Sequence, residues 1–285
     1  MSHSTLEGFR LSPQQRRIWS LWQQGLRPLA RSECALLLQG ALEPDALREA
    51  AEGLVAAHEI LRTTFHRPAG MRFPLQVVAA AGEVCWKEVD LSGAAARDPL
   101  AAVAELARRE SADPFDLQRG PLFRLRLVAL PDSSHVLLLN LPSLCGDRRT
   151  LHNIARHLAN RYGGRADGGV TEAPIQYADY SQWQNDLLAA RDETADAARA
   201  FWRRRSGTTV SPRLPFEASG NGSVASWTSQ LTLGSGGLRR IDTFCREERV
   251  STADFLLACW QTLLWRITGE ASVLVGGVHD GRKPV

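Results

Sequence analysis

A stretch of seven residues, Pro142-Ser143-Leu144-Cys145-Gly146-Asp147-Arg148, brings a hydroxyl, a thiol, a carboxylate and a guanidinium together between an apolar run and an amphipathic segment. A serine or cysteine becomes a nucleophile only when a base takes its proton, and a thiolate also needs a cation or a helix terminus beside it. No histidine lies between Val136 and Leu151, so neither Ser143 nor Cys145 has a base close by in sequence. Cys145 therefore reads as a buried thiol, the ordinary state of a free cysteine. Ser143 keeps a different capacity: its hydroxyl can hold an amine by a hydrogen bond and position it without removing a proton.

The remaining chemistry-bearing residues are scattered. His152 and His157 stand five apart on one expected helix, which turns them about 140° from each other and keeps them from sharing a metal ion. His58 reads as structural. His279, in the turn Val275-Gly276-Gly277-Val278-His279-Asp280-Gly281-Arg282, is the other candidate base, since loops often carry function. With Lys283 this turn superficially looks like a phosphate loop, but Arg282 and Lys283 occupy the lysine and hydroxyl positions, which argues against nucleotide binding. Gly220-Asn221-Gly222-Ser223 lacks the register of a hydrolase nucleophile elbow. Cys34, Cys85, Cys145, Cys245 and Cys259 are far apart with no Cys-x-x-Cys pair, so neither a zinc site nor a redox motif is expected.

Alternating short strands and helices must position these groups. Ser12 is a suitable N-cap for a helix carrying Ile18, Leu21 and Trp22 at helical spacing. Strands are expected at Cys34–Leu38, Ile60–Phe65, Leu75–Val78 and Val84–Val89, and helices at Asp45–Ala57 and Leu100–Arg109. Phe123–Leu130 alternates like a half-buried strand, while Val136–Leu141 suits one covered on both faces, and the two should be neighbours in a sheet. Leu151, Ile154, Ala155 and Leu158 mark a helix that ends near Gly163-Gly164, where glycine supplies a left-handed terminus. The Gly- and Asp-containing stretch 163–169 is the candidate linker. Beyond it, helices are expected at Tyr177–Ala189 and Glu193–Arg204, an irregular loop over Ser206–Ser223, and a strand at Val224–Leu233. A helix near Leu238–Arg246, an apolar helix over Thr252–Ile267 and a strand at Ser272–Val275 complete the pattern. The apolar helix, with Trp260 and Trp265, should be sandwiched between layers, and Trp183 and Trp202 should also supply core.

Bulk properties narrow the function. The 285 residues are 44% hydrophobic and 23% charged, enough for two modest cores. Thirty-four basic residues against 31 acidic ones leave a formal charge of +3 without a block of like charges, which argues against nucleic acid as a partner. The longest apolar stretch, Phe255–Ile267, contains Gln261 and Arg266 and falls short of the roughly 20 residues a membrane span needs. Residues 1–30 carry no export signal pattern, so a cytoplasmic location is the expectation.

Five separated segments resemble the signatures of condensation domains of nonribosomal peptide synthetases, in that family's order. Ser12-Pro13-Gln14-Gln15-Arg16-Arg17-Ile18-Trp19 resembles the opening S-x-x-Q-x-R-x-W helix, and His58-Glu59-Ile60-Leu61-Arg62-Thr63-Thr64-Phe65 resembles R-H-E-x-L-R-T-x-F, with Ala57 at the leading arginine. Asp113-Pro114-Phe115-Asp116-Leu117, then Gly120-Pro121-Leu122-Phe123-Arg124, is similar to the stretch entering the central strand. Tyr177-Ala178-Asp179-Tyr180-Ser181-Gln182-Trp183-Gln184 resembles Y-x-D-Y-x-x-W-Q, and residues 275–282 resemble the G-x-x-x-x-G-R turn.

The resemblance implies a chloramphenicol acetyltransferase-like α/β fold of two lobes with mixed sheets and covering helices, 1–168 and 169–285, the second incomplete here. It implies no bound cofactor; phosphopantetheine arms of peptidyl or acyl carrier proteins would bring the substrates, and a tailoring enzyme is a further possible partner. Its catalytic H-H-x-x-x-D-G motif falls on Pro142 to Arg148, where Pro142 and Ser143 replace both histidines and Arg148 the glycine. Only Asp147 is retained. In the family this aspartate pairs with the arginine matching Arg62, so a structural ion pair Arg62–Asp147 is expected. Two functions follow: a domain without ordinary amide-forming activity that serves as a scaffold, or a divergent acyltransfer catalyst relying on positioning by Ser143.

Overall fold

The computed structural model describes residues 8–25, 30–93, 98–131, 133–164, 175–206, 214–216 and 230–277, and divides into two compact units, Met1–Arg191 and Asp192–Val285. Helix α1 (Pro13–Gln23) begins where Ser12 predicts. The Ser12 hydroxyl accepts from Gln15 N at 3.2 Å, the Gln15 side chain accepts from Ser12 N at 2.9 Å, and Pro13 removes a donor that would otherwise be orphaned.

The first unit is organised on strand β7 (His135–Pro142), which pairs antiparallel with β2 (Arg31–Leu38) and β6 (Arg124–Ala129); β5 (Cys85–Asp90) adds in parallel to β6. The expected adjacency of residues 123–130 and 136–141 is thus a hydrogen-bonded pair. Because side chains alternate along a strand, β7 builds two cores. Leu137, Leu139 and Leu141 belong to a cluster with Leu47, Ala51 and Leu54 of α2 (Pro44–Ala57) and Leu151, Ile154 and Leu158 of α4 (Arg148–Tyr162). Val136 and Leu138 join Val128 and Val103 on the opposite face, under α3 (Pro99–Ala112). A smaller antiparallel sheet orders β1 (Phe9–Arg10), β4 (Leu75–Val78) and β3 (Thr63–His66).

One expectation shifts by a local turn, and the next holds. Glu59–Arg62 is a 3₁₀ turn rather than the start of a strand, closed by Leu61 N donating to His58 O at 3.0 Å, and the extended chain begins at Thr63. At the end of α4 it is Gly164, with φ +63°, that takes the left-handed conformation, one residue beyond the cap Gly163.

Helix α5 (Tyr177–Ala189) belongs to the first unit, although the expected boundary at 168/169 would place it in the second. The reason is a row of polar groups at helical spacing. Tyr177 Oη lies 2.9 Å from Ser12 Oγ, Ser181 Oγ donates to Arg10 O at 2.7 Å, and Asn185 Nδ2 donates to Leu11 O at 3.1 Å.

The described part of the second unit holds α6 (Glu193–Ser206), α7 (Ser235–Glu248) and α8 (Thr252–Thr268), and no strand. Helix α8 is capped as its sequence asks: Ser251 accepts from Asp254 N, and Gly269 at φ 72° ends it. Its expected burial is not found. Leu256, Trp260 and Trp265 are about half exposed and no α8 residue is buried, so among the described residues the apolar circumference lacks the layers anticipated for it. Trp183 and Trp202 are likewise more exposed than buried. Ser272–Val275 forms no ladder, and of the expected strand Val224–Leu233 residues 230–233 are irregular while 224–229 lie outside the described residues. No described helix is long and apolar enough to cross a membrane.

Candidate functional site

The seven-residue stretch forms the turn from the end of β7 into α4. Pro142, opposite Arg31, closes the β2–β7 ladder and is buried; its missing N–H suits a strand terminus. The turn is tied down at each step. Ser143 N donates to Ala30 O at 2.8 Å, Cys145 N to Pro142 O at 2.8 Å, and Gln15 Nε2 to Leu144 O at 3.0 Å. Gly146 fits because a Cβ there would come within 2.6 Å of Thr150 Cγ2 and 3.0 Å of Leu141 Cδ1.

Ser143 is half-buried, with its Oγ 3.2 Å from Ser32 Oγ. Ser32 donates its one hydroxyl proton to Gly146 O at 2.8 Å, so within this pair Ser143 is the donor and Ser32 the acceptor. The Ser143 oxygen consequently keeps its lone pairs. It can accept a hydrogen bond from an amine but offers no basic group to deprotonate one. Cys145 is 5% exposed, and burial pushes its thiol far above the ordinary range, so no thiolate forms at neutral pH.

Asp147 is exposed and caps α4. Its Oδ1 accepts from Thr150 N at 2.8 Å and from Thr150 Oγ1 at 2.9 Å, placing a negative charge at the helix N-terminus. The expected ion pair with Arg62 is not formed. Arg62 instead donates from Nε to Ala79 O at 2.9 Å and from Nη1 to Val55 O and Ala56 O at 3.0 and 2.6 Å, and its Nη2 lies 3.5 Å from Glu59 Oε1. The 3₁₀ turn folds Arg62 back onto the end of α2, where three carbonyls and one carboxylate occupy the guanidinium fork. Arg62 braces the sheet to α2 without Asp147.

The structure brings together Pro142, Ser143, Cys145 and Asp147 but, among the described residues, joins neither Arg62 nor any imidazole to them by a bond. His279 lies outside the described residues. His152 is exposed on α4, while His157 meets His58 with ring centroids 5.6 Å apart, a pairing across two elements that spacing along one helix could not disclose. Ser32 was also missed. Its role becomes visible only once β2 is registered against β7, with Ser32 opposite Leu141. Among the described residues there is no group of three or more His, Cys, Asp or Glu suited to a metal ion.

The condensation domain family model matches residues 7–284. The chain is 32% identical over 95% of its length to one of the linear gramicidin synthase proteins of Brevibacillus parabrevis, and 29% identical over 97% to a dimodular nonribosomal peptide synthase of Bacillus subtilis. It spans 4% and 12% of those two proteins. Among solved structures it resembles the X-domain from teicoplanin biosynthesis, with a TM-score of 0.74 and 28% identity over 93% of this chain and 59% of that one. The condensation domain of the monacolin K polyketide synthase MokA shares the fold, with a TM-score of 0.73, 22% identity, and coverage of 93% and 61%. This chain belongs to the condensation domain family of nonribosomal peptide synthetases, with the α/β fold of the chloramphenicol acetyltransferase-like class.

Proposed function

We propose that this chain is a condensation-type domain that has lost ordinary amide-forming activity and acts as a docking scaffold for carrier proteins or a tailoring enzyme in a peptide assembly line. The observation that carries the reading is the state of the β7–α4 turn. The turn carries no histidine, its only hydroxyl donates its proton to Ser32, and its only thiol is buried and protonated. A positioned general base contributes about 10²- to 10⁴-fold to such reactions; the turn has no imidazole to supply one, and its carboxylate, Asp147, caps α4. The likeness to the teicoplanin X-domain supports a recruiting role, because an X-domain structure at 29% identity and a TM-score of 0.62 over 76% of this chain and 48% of that one is a complex with OxyB. Carrier proteins would present substrates on phosphopantetheine arms, and no resident cofactor is required.

The test supplies the domain with aminoacyl donor and acceptor carrier proteins. Peptide formation should stay at background while the domain binds a carrier or a tailoring enzyme in a pull-down. Turnover well above background would reject the scaffold reading.

A second reading rests on the Ser143 lone pairs. They would accept a hydrogen bond from an acceptor amine and hold it against a carrier-bound thioester, giving slow acyl transfer by positioning alone. Ser143→Ala then abolishes that transfer with the fold intact; a rate independent of this substitution removes the reading.

A further inference from the structure

The sheet face beneath α3 carries a polar pocket that the β7–α4 turn does not explain. At its centre is Asn140, set among the leucines of β7 and only 7% exposed, with no hydrogen bond to its side chain and an Oδ1 shielded from solvent. It stands opposite Glu33 of β2 and Arg124 of β6. Two residues further along β6 is Arg126, 4% exposed. Its Nη1 donates to Cys85 O and Leu125 O, but its buried Nε has no acceptor. Glu110 Oε2 of α3 lies 3.0 Å from Arg126 Nη2 and forms a largely buried ion pair with it. These three residues line one cavity of about 190 Å³, whose other walls include Ala35, Ala107 and Leu138. Buried polar atoms normally find partners, and two unsatisfied ones in a single cavity, Asn140 Oδ1 and Arg126 Nε, call for an occupant.

We propose that this cavity binds a small aliphatic primary carboxamide. The unpaired set is the Arg126 Nε donor and the Asn140 amide, whose Oδ1 is a buried acceptor and whose Nδ2 makes no hydrogen bond. A primary carboxamide offers the complement, one carbonyl oxygen and two N–H bonds. It also pairs with the Asn140 amide whichever way that amide is turned, because both groups present a donor beside an acceptor. Charge selects against the alternatives. Arg126 and Glu110 already neutralise each other, so a carboxylate would face Glu110 and an ammonium would face Arg126 unpaired. A single water, whose share of liquid volume is about 30 Å³, leaves most of the space and the apolar wall uncovered. A short alkyl body fills both.

The experiment uses the whole chain with propionamide as probe, read by ligand-observed NMR and by soaking crystals, with propionate, propylamine and 1-propanol as contrasts. Propionamide should bind and the three contrasts should not. Asn140→Leu should weaken binding by about tenfold or more while raising the unfolding temperature, because it removes an unpaired buried amide. Ala107→Leu, which fills the cavity from α3 and leaves every polar group in place, should abolish binding in a folded protein. Equal binding of propionate or propylamine, propionamide binding unchanged in both variants, or a soaked cavity that holds only ordered water would each overturn the assignment.

Discussion

Arg62 and Asp147 hold different partners, and that difference sets the energetic consequence of losing either. Asp147→Ala leaves Thr150 N–H and Thr150 Oγ1 without their acceptor at the start of α4. An N-cap of this kind contributes about 1 kcal/mol, and the carboxylate's attraction to the helix dipole about 0.3–1 kcal/mol more. The expected loss is therefore about 1–2 kcal/mol, and Asp147→Asn, which keeps the cap and drops the charge, should cost about 0.3–1 kcal/mol. Removing one partner of a buried ion pair would cost about 3–5 kcal/mol. Arg62→Met is the severe change. The Arg62 side chain is 14% exposed, and its removal orphans the carbonyls of Val55, Ala56 and Ala79 together, each bonded to a charged donor at about 1.5–3 kcal/mol. These bonds are not additive, but the sum should exceed about 3 kcal/mol. Urea unfolding of the two single variants and the double variant, followed by circular dichroism, closes a thermodynamic cycle. The coupling energy should lie within about 0.5 kcal/mol of zero, as for residues with no shared partner. A coupling of about 2 kcal/mol or more would show that the two side chains do pair and would refute this account of the turn.

The turn makes four further predictions. Iodoacetamide at neutral pH should modify exposed Cys259 and spare Cys145 until denaturant is added, as read by peptide mass spectrometry. Because burial raises the Cys145 thiol above its ordinary value of 9.0, the unfolded chain releases that proton first; stability should fall as pH rises above 9.0, with this group adding at most about 1.4 kcal/mol per pH unit. Gly146→Ala drives a methyl group to 2.6 Å from Thr150 Cγ2 and should destabilise by about 1–3 kcal/mol, seen as a lower urea midpoint at unchanged slope. Ser143→His restores an imidazole and should raise acyl transfer between carrier proteins by up to about 10²- to 10⁴-fold over the parent; an unchanged rate would place the deficit outside the motif.

Much of the fold was legible where local rules and burial agree. Strands Leu75–Val78 and Arg124–Ala129 and helices Pro44–Ala57 and Tyr177–Ala189 sit within a residue or so of their patterns, because period-2 and period-3.6 apolar spacing decides which face is covered. The turn at Glu59–Arg62 was hidden because its apolar residues, Ile60 and Leu61, suit a strand equally well, and only carbonyls supplied by α2 bend it. The grouping of α5 with the first unit was likewise not legible in sequence, because it rests on Ser181 and Asn185 reaching the carbonyls of Arg10 and Leu11. For α8, composition announced an apolar helix correctly, yet composition does not say which layers cover it, and none does in the described residues. The site divided along the same line. Ser143, Cys145 and Asp147 were found because they are contiguous, whereas Ser32, 111 residues away in sequence, was not.

The retained aspartate is the residue most easily misread. A motif that loses two histidines and keeps its acid looks like half of a catalytic apparatus, and the acid's survival invites the inference that chemistry survives with it. The structure supplies a local reason to keep it that involves no reaction. Helix α4 starts at Arg148, its first N–H groups have no intrahelical partners, and Asp147 satisfies one of them directly while its charge opposes the dipole. Leu151, Ile154 and Leu158 on that helix close the core over β7, so an unstable α4 start would loosen the sheet itself. The two residues at the end of β7 need no imidazole for the fold: Pro142 ends the β2–β7 ladder and Ser143 N bonds to Ala30 O. Asp147→Asn offers the sharpest check, since it keeps the cap: if it abolished a carrier-dependent reaction while costing under about 1 kcal/mol of stability, the aspartate would have a chemical role and the scaffold reading would fail.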